Sequence, residues 1–166
     1  MKPTKRMLEI KEKGPETATI EDIPLALSII CQFINNDPDA RELVQDEISM
    51  EIQIKGAEKN FLSVSDGRCT HGKGSLDYPH FVLTTDLLTI SRMLLGELDA
   101  SKAYFAGDFR ADGDLFHMIR FLEILELAFI KLDLIDEAKR EVIIDAGSMK
   151  KLFDVYARGV SVVEPA

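Results

Sequence analysis

One long apolar run in the last third of the chain constrains the fold more than any other feature. From Leu115 to Ile135, fifteen of twenty-one positions are apolar, and no stripe of polar residues follows the whole length. A surface helix normally buries one face, so a helix that is apolar nearly all round must be covered on two sides. Leaving four large side chains bare would forgo about 6–12 kcal/mol of burial free energy, comparable to the net stability of a domain. The second cover therefore has to be a terminal segment of this chain, a partner chain or a bound apolar ligand.

The composition is that of one soluble globular domain, and it limits the partners. The chain has 166 residues, of which 46% are hydrophobic and 30% charged, as expected for a domain with one buried core. Its formal net charge of -9 argues against nucleic-acid binding, because contacts to phosphates need a basic surface. The same charge opposes adhesion to an anionic bilayer, so at most transient membrane contact is expected.

The cysteines and the N-terminal residues indicate the cellular compartment of the protein. Cys31 and Cys69 stand far apart in the sequence, in different predicted elements, so no disulfide framework is predicted and a reducing compartment fits. No basic segment followed by an apolar one opens the chain, and charged residues interrupt every long apolar run. These features predict a cytoplasmic protein without a membrane-spanning segment.

Three regions are predicted along the chain. Residues 1–18 mix Lys, Glu, Pro and Gly with little periodicity and are interpreted as a flexible N-terminal tail, with a short helix over Arg6–Lys13 as the alternative. Residues 19–135 form the folded body. Residues 136–166 are interpreted as a C-terminal helical extension and a candidate lid, because four apolar residues recur there at helical spacing within a basic rim. Those four are Met149, Leu152, Phe153 and Tyr156.

The first half of the body is predicted to contain two helices followed by a meander of three antiparallel strands. Thr19 and Asp22 mark the start of the first helix, and Asp37 followed by proline marks the start of the second. Asp66-Gly67 is a two-residue hairpin signal, because both positions of such a turn favour positive φ. The predicted strands are Met50–Lys55, Phe61–Ser65 and Arg68–Lys73.

The second half of the body is predicted as strand, helix, strand, helix. A strand over His80–Thr85 leads into a helix that Gly96 loosens or ends. A fifth strand is predicted over Ala103–Ala111, where small and aromatic residues alternate on one apolar face. An aspartate of Asp112-Gly113-Asp114 then caps the long apolar helix.

No catalytic or metal-binding constellation is visible in the sequence. The three histidines, His71, His80 and His117, fall in separate elements, and Cys69 with His71 gives too few ligands for a zinc site. No nucleophile-elbow, zinc-protease, dinucleotide or thiol-redox motif occurs. No catalytic residue, metal or cofactor is therefore predicted, although scattered catalytic residues would leave no local mark. The profile favours binding of an apolar molecule over catalysis.

The segment from Asp77 through Phe121 carries a resemblance to a known family. Its matching stretches are HFVLTTD, LLGELDASKAYFAGDF and RADGDLFHMIRF. Their most characteristic features are Gly96-Glu97-Leu98-Asp99, Lys102-Ala103-Tyr104-Phe105, Gly107 and Gly113-Asp114. Together with the order of helices and strands over residues 20–135, these features resemble the sterol carrier protein 2 family.

The resemblance implies an α+β fold, with a five-stranded, mostly antiparallel sheet and helices packed mainly on one face. It also implies an apolar tunnel between helices and sheet for fatty acids, acyl chains, sterol-like lipids or isoprenoids, and no reaction in the simplest members. Animal members end in a peroxisomal signal of the S-K-L kind, whereas this sequence ends Val-Glu-Pro-Ala, so peroxisomal import is not expected.

Ten residues are predicted to line this tunnel, because apolar side chains of the sheet would face apolar side chains of the helices. From the sheet they are Phe81, Leu83, Phe105 and Phe109, and from the helices Leu87, Leu94, Met118, Leu122, Leu125 and Phe129. Tyr104 and Arg110 are the candidates for contact with a polar headgroup. The alternative is that the ten side chains pack closely and leave no cavity, while Tyr104 and Arg110 face solvent.

Two function classes stay open from the sequence. The first is non-catalytic binding and transfer of an apolar lipid in an internal tunnel. The second is an accessory subunit or interaction module that presents an apolar intermediate, for example a quinone precursor, to a partner enzyme. Formation of a homodimer and binding of a partner enzyme are open as well. A lipid carrier should leave its expression host with ligand inside, whereas a pure interaction module should not.

Overall fold

The computed structural model describes residues 4–44, 47–98 and 100–132. The helices are α1 (Lys5–Lys13), α2 (Asp22–Asn36), α3 (Pro38–Leu43), α4 (Leu87–Leu94), α5 (Ala100–Ala106) and α6 (Leu115–Lys131). The strands are β1 (Ile48–Ile54), β2 (Asn60–Ser65), β3 (Arg68–Lys73), β4 (Phe81–Thr85) and β5 (Arg110–Gly113). The predicted C-terminal extension over residues 136–166 lies outside the described residues.

The five strands form one sheet in the order β3-β2-β1-β4-β5. The pairs β1–β2, β2–β3 and β4–β5 are antiparallel, whereas β1 and β4 run parallel. The parallel pair exists because the chain crosses from one side of the meander to the other before it enters β4. The predicted five-stranded, mostly antiparallel sheet of an α+β fold is confirmed.

The hairpin between β2 and β3 forms where the turn signal predicts it. Asp66 and Gly67 both have positive φ, 52° and 73°, which is the backbone that this two-residue turn requires. Strand β3 has the predicted bounds, and β2 begins one residue earlier than predicted. The first strand is Ile48–Ile54 and not Met50–Lys55, because Ile48 continues the apolar alternation and pairs with Val64.

One face of the sheet forms the core, and the helices α2 and α6 pack on it. Seven of its inward side chains are at most 1% exposed: Ile48, Met50, Ile52, Leu62, Val64, Phe81 and Leu83. The other face carries mostly polar residues of β1 and its neighbours. On that face Glu51 is buried, because Lys59 lies 3.1 Å from its carboxylate and the Leu76 N–H donates to it at 2.7 Å. This carboxylate holds the connection that leads into β4.

Aspartates begin the helices as the sequence predicts. Asp37 accepts hydrogen bonds from the N–H groups of Asp39 and Ala40, and Asp114 accepts one from Phe116 at the start of α6. The Asp22 carboxylate accepts the Thr19 N–H at 2.7 Å in the first turn of α2. Each bond satisfies a backbone donor that a helix start leaves without an internal partner.

The predicted strand over Ala103–Ala111 is wrong for residues 103–109 and is confirmed only for Arg110 and Ala111. Residues 100–106 form α5, and only Arg110–Gly113 pair with β4. Gly107, with φ of 81°, ends the helix, and the Asp108 N–H donates to the Ala103 carbonyl there. Small and aromatic residues alternate over this stretch at a spacing that fits both helix and strand, and good helix formers before Gly107 decide the outcome.

The N-terminal residues form a helix on the body where the sequence predicts a flexible tail. Helix α1 spans Lys5–Lys13, close to the alternative over Arg6–Lys13, and its Ile10 is 6% exposed. Arg6 donates two hydrogen bonds to Asp22 of α2. The sequence gives little sign of this helix, because two apolar contacts and one ion pair attach an otherwise polar segment to the body. The division of the chain at residues 18 and 135 stays a prediction.

Within the described residues, helix α6 is covered on its second side by other helices of the chain. It contacts β4 and β5 on one side and α2 and α3 on the other, and Met7 of α1 reaches the same region. Lys131 at its end lies 2.8 Å from Asp37 and 2.5 Å from Asp39 at the start of α3. A terminal segment of this chain thus supplies part of the cover that the long apolar run demands.

Candidate apolar ligand site

Two adjoining apolar cavities lie between α1, α2, α4 and α6, and we call them together the α1 cleft. The first has a volume of about 50 Å³ and is lined by Arg6, Met7, Ile10, Ala18, Asp22, Ile23, Leu25, Ala26, Ser91, Leu94 and Leu95. The second has about 20 Å³ and is lined by Met7, Ala26, Ile29, Ile30, Leu94, Leu125, Ala128, Phe129 and Leu132. Met7, Ala26 and Leu94 line both, so the two cavities are neighbours along one apolar seam between the helices.

The α1 cleft is much smaller than a lipid. Pockets that enclose drug-sized ligands have volumes of about 300–1,000 Å³, whereas the cavities here hold about 50 and 20 Å³. In this arrangement the surrounding side chains are therefore close to fully packed. A long acyl chain could enter the seam only if one of its walls moved outward.

Helix α1, one wall of the cleft, is held to α2 by an ion pair at the edge of the cleft. Arg6 Nε and Nη2 donate to the two carboxylate oxygens of Asp22 at 2.8 and 2.9 Å, and Nη2 also donates to the Thr17 carbonyl at 3.1 Å. The Arg6 hydrogen bonds hold the pKa of Asp22 below its ordinary value. Met7 and Ile10 close the cleft from above. We call the Arg6–Asp22 pair the α1 latch.

Ser91 places a polar group without a protein partner at this apolar site. The residue is 5% exposed and lines the first cavity. Among the described residues, its hydroxyl Oγ has no hydrogen-bond partner. A buried hydroxyl in that state costs about 1–3 kcal/mol. The hydroxyl, carbonyl or carboxyl oxygen of a ligand would supply the missing partner.

Three of the ten residues predicted from the sequence line the α1 cleft: Leu94, Leu125 and Phe129. Five others, which line neither cavity, are at most 3% exposed in the core: Phe81, Leu83, Phe109, Met118 and Leu122. Leu87 is half-buried and packs against that core. Phe105 is 63% exposed, because α5 turns its side chain outward where a strand would have turned it toward the helices.

The two headgroup candidates do not line the cleft either. The Tyr104 ring is half-buried and lies 5.2 Å from the ring of Phe105 and 5.7 Å from that of Phe109, between ring centroids. The Arg110 side chain is 76% exposed and donates to Asp112 at 2.8 Å. The prediction that they meet a headgroup therefore has no support from their positions.

The residues that sequence reasoning missed come mostly from α1 and α2. Met7 and Ile10 belong to the segment interpreted as a tail, and Ser91 is a single polar residue in an apolar helix. Ala26 is small and gives no signal of its own. The apolar positions of α1, three residues apart, were the one available signal, and they indicate a helix with one buried edge.

A second, larger hollow is open and polar. It has about 500 Å³, lies beside the β2–β3 turn, and is lined by Ile34, Asn35, Arg41, Val44, Asp66, Gly67 and Arg68. Two guanidinium groups and a carboxylate at its rim do not suit an apolar ligand. The α1 cleft is therefore the better candidate for a lipid site.

Two histidines stack at the start of β4 and α6. The rings of His80 and His117 lie 3.8 Å apart at 6°, the Ser49 N–H donates to His80 Nδ1, and Asp114 pairs with His117 Nδ1 at 2.7 Å. Burial, followed by repulsion from His117, lowers the pKa of His80. Among the described residues, no group of three His, Cys, Asp or Glu side chains is placed to hold a metal ion.

Among the described helices, none combines the length and the apolar character needed to cross a membrane.

Sequence comparison gives one family match. The family model of the SCP-2 sterol transfer family matches residues 30–126, which is more than half of the chain. A search of curated proteins finds no match.

Comparison with solved structures finds the same fold in proteins of different kinds. A ubiquinone synthesis protein, UbiJ-SCP2, is 14% identical with a TM-score of 0.52, over 65% of this chain and 93% of that one. The sterol carrier protein domain 2 of Helicoverpa armigera is 15% identical with a TM-score of 0.51, over 67% and 92%. A double mutant of the sec-alkyl sulfatase PisA1, an enzyme of Pseudomonas sp., is 17% identical with a TM-score of 0.55 over 67% of this chain. The present chain spans 17% of that sulfatase. At these identities the likeness shows the fold alone.

Proposed function

We infer that this chain, which belongs to the SCP-2 sterol transfer family, carries one amphipathic lipid in the α1 cleft. Membership of the family supports lipid binding and transfer in general, while the site and the ligand are proposals. The observation that carries the proposal is an apolar seam, closed by a terminal helix, that contains a buried hydroxyl without a partner. That combination fits a site that is filled by something other than protein.

The walls of the α1 cleft match the apolar part of such a ligand. Aliphatic side chains of α2 and α4 face Leu125 and Phe129 of α6 across the seam. An acyl or isoprenoid chain held there would be removed from water at roughly 25 cal/mol for each Å² of apolar surface buried. Shape and area, with few polar contacts, would select the ligand, which suits a carrier of several related lipids.

Ser91 supports the polar part of the proposed ligand. A ligand oxygen beside its hydroxyl would satisfy a group that the described residues leave unpaired. The ligand class is therefore a long apolar chain that ends in a hydroxyl, carbonyl or carboxyl group, which includes fatty acids and prenylated quinone precursors. The same reasoning disfavours a pure hydrocarbon.

Entry of the ligand is proposed to begin at α1. Outward movement of this helix would remove Met7 and Ile10 from the seam and join the two cavities into one groove. Leu94, Leu125 and Phe129 would contact the ligand first. The deeper predicted residues, Leu122 and Met118, would be reached only by a longer or wider ligand.

We propose that the protein acts without a chemical step. The polar groups at the α1 cleft are the Arg6–Asp22 ion pair and the Ser91 hydroxyl. Neither arrangement places a nucleophile beside a general base. The sulfatase whose fold overlaps this chain is far longer, so its activity is not carried over.

Titration of the delipidated full chain with a fluorescent fatty acid tests the proposal. We expect saturable binding of one molecule per chain, displaced by palmitate, with sterol and a short-chain ubiquinone analogue as further competitors. The proposal fails if fluorescence rises without saturation, or if no competitor displaces the probe.

A second candidate function uses the same cleft. UbiJ-SCP2, which has this fold, is a ubiquinone synthesis protein, and an accessory subunit that presents a quinone precursor to a partner enzyme would need the same seam. Extraction of the purified protein distinguishes the two. An isoprenoid quinone or its precursor in the extract, with a co-purifying enzyme, would favour the accessory subunit, whereas fatty acid without a partner would favour the carrier.

A further inference from the structure

The two cysteines of the chain, far apart in sequence, meet in the fold. Cys31 lies on α2 and Cys69 on β3, and their Sγ atoms are 2.7 Å apart. Both residues are buried, with exposed fractions of 5% and 4%. The chain has two cysteines in total, so each has one possible partner within the molecule. Both cysteines are free thiols, as the sequence predicts, but the fold brings the two predicted elements that carry them into contact.

A side-chain bridge next to the two sulfur atoms fixes their approach. Asn35, one turn after Cys31 on α2, donates from Nδ2 to the Cys69 carbonyl at 3.0 Å and accepts the Cys69 N–H at 2.8 Å. An amide that bonds both backbone groups of one strand residue sets the register and the distance between helix and strand. The backbone at Cys69 therefore cannot move away from α2 without breaking these two bonds.

The contact also makes the two thiols chemically unequal. A hydrogen bond from the Cys69 thiol lowers the pKa of Cys31, and the same contact, together with burial, raises the pKa of Cys69. Since the thiolate is the nucleophilic form of cysteine, the lowered pKa favours Cys31 as the reactive sulfur, and Cys69 Sγ, 2.7 Å away, is placed to resolve its oxidised form.

We propose that Cys31 and Cys69 form a reversible disulfide, which joins α2 to β3 when the protein meets a hydroperoxide. The Cys31 thiolate attacks one peroxide oxygen, the O–O bond breaks, and the departing oxygen takes up the proton that Cys31 released. Cys69 sulfur then attacks the resulting sulfenic sulfur and loses its proton, and the hydroxyl leaves as water. The two thiols lose two electrons, which reduce the hydroperoxide to water or an alcohol. Two molecules of a small thiol such as glutathione reverse the bond by exchange: the first forms a mixed disulfide with one cysteine, and the second releases it as oxidised glutathione and restores both thiols.

The open hollow beside the β2–β3 turn gives small oxidants a route to this pair. Its lining includes Asn35, which bonds Cys69, and Arg68, the preceding residue of β3. The hollow holds about 500 Å³ and is open to solvent, and its lining reaches residues that adjoin Cys69 along the chain and through a hydrogen bond. Peroxide and glutathione are both small enough to enter the hollow, whereas a protein oxidant is not.

The cross-link would raise the stability of the fold and restrain one wall of the α1 cleft. It closes a loop between positions 38 residues apart, which restricts the unfolded chain. Another face of α2, which carries Ala26 and Ile30, lines the α1 cleft. A disulfide at Cys31 would therefore hold one wall of that cleft against the edge strand of the sheet.

Intact-mass measurement of the folded full chain before and after hydrogen peroxide tests the proposal. We expect a monomer lighter by two hydrogen atoms, a Cys31–Cys69 cross-linked peptide in a non-reducing digest, return to the starting mass with glutathione, and a melting temperature higher by roughly 10 °C. A gain of oxygen atoms without a cross-link, an unchanged mass, or disulfide-linked dimers alone would overturn it.

Two variants keep the test specific. Cys31→Ser should show no peroxide-dependent loss of mass, and Cys69→Ser should stop at the sulfenic acid of Cys31, which a dimedone probe labels. If both variants lose reactive thiol as fast as the parent chain, the pair does not react as a unit, and the proposal is wrong. None of these measurements needs a bound lipid, so failure of the proposed lipid site would leave the result unaffected.

Discussion

Arg6 of α1 and Asp22 of α2 share two parallel hydrogen bonds, 2.8 and 2.9 Å long, across the edge of the α1 cleft. The Asp22 side chain is 14% exposed and that of Arg6 31%, so the pair is partly shielded from water. A two-bond contact between a guanidinium and a carboxylate fixes orientation as well as distance. The α1 latch therefore determines how easily the helix leaves the seam that it closes.

Removing the α1 latch should speed ligand exchange. In Arg6→Ala we expect faster hydrogen exchange of the α1 amides and a release rate for a bound fluorescent fatty acid several-fold above that of the parent chain, because most affinity changes appear in the dissociation rate. Stopped-flow displacement measures the rate. Lys13→Ala is the matched control, because it removes an exposed pair with Glu9 on the same helix. Equal release from both variants would show that the latch does not gate the cleft.

The substitution Ser91→Ala should raise the stability of the protein and weaken its binding of a fatty acid. Loss of a buried hydroxyl without a partner should raise the free energy of unfolding by about 1 kcal/mol, while the affinity for a fatty acid falls by roughly tenfold for lack of the hydrogen bond. Urea denaturation and ligand titration measure the two effects. Ser28→Ala on α2 controls for the better helix propensity of alanine. If Ser91→Ala binds as tightly as the parent chain, Ser91 does not contact the ligand.

Two leucines of α6 test where the ligand lies. Leu125 and Leu122 are both at most 1% exposed, but only Leu125 lines the α1 cleft. Truncation of either to alanine should cost about 2–5 kcal/mol of stability through the cavity that it leaves. Leu125→Ala should recover more of that loss on addition of palmitate, because its new space joins the cleft. An equal thermal shift in both variants would place the ligand deeper, as the sequence alone predicts.

The stacked histidines should make stability depend on pH. Burial and the His117 charge lower the pKa of His80 in the folded state, while the carboxylates of Asp114 and Glu47 oppose this in part. The unfolded chain therefore takes up a proton first as the pH falls. Stability is complete above about pH 6.5, the ordinary histidine value, and declines below it through the folded pKa.

The urea midpoint measured from pH 8 down to pH 5 checks this dependence. In His80→Asn, whose side-chain oxygen can accept the Ser49 N–H as Nδ1 does, we expect a flatter profile over about pH 5–6.5. A profile equally steep in the variant would assign the dependence to other groups. A histidine resonance of His80 that titrates above pH 6.5 would contradict the sign of the shift.

Strong local signals explain which parts of the fold were predictable from sequence. The Asp66-Gly67 turn, the capping aspartates and the two-residue alternation of β1 and β2 each fit one structure only, and they predict the meander and the helix starts. The stretch 103–111 fits two periods at once, so its strand prediction is wrong for residues 103–109 and holds for Arg110 and Ala111. Gly107 and the good helix formers before it distinguish helix from strand.

The candidate site was harder to predict because it lies between helices, away from the sheet. The ten predicted tunnel residues follow from the premise that the ligand lies between the helices and the sheet. The inward sheet residues are instead close-packed, and the seam runs along α1. Met7 and Ile10 belong to a charged segment whose helix is stabilised by contacts with α2. Such tertiary contacts, like the meeting of Cys31 with Cys69, leave no trace in local sequence.

Native mass spectrometry of the purified full chain and of Ala26→Leu, followed by organic extraction, tests the central claim most directly. Ala26 lines both cavities, and the added carbons would fill the seam at a stability cost of about 1–3 kcal/mol at most. We predict one lipid per chain in the parent protein and little or none in the folded variant. An apo mass for the parent chain, with no thermal shift on adding palmitate, sterol or a quinone, would contradict the account, as would equal lipid on both proteins.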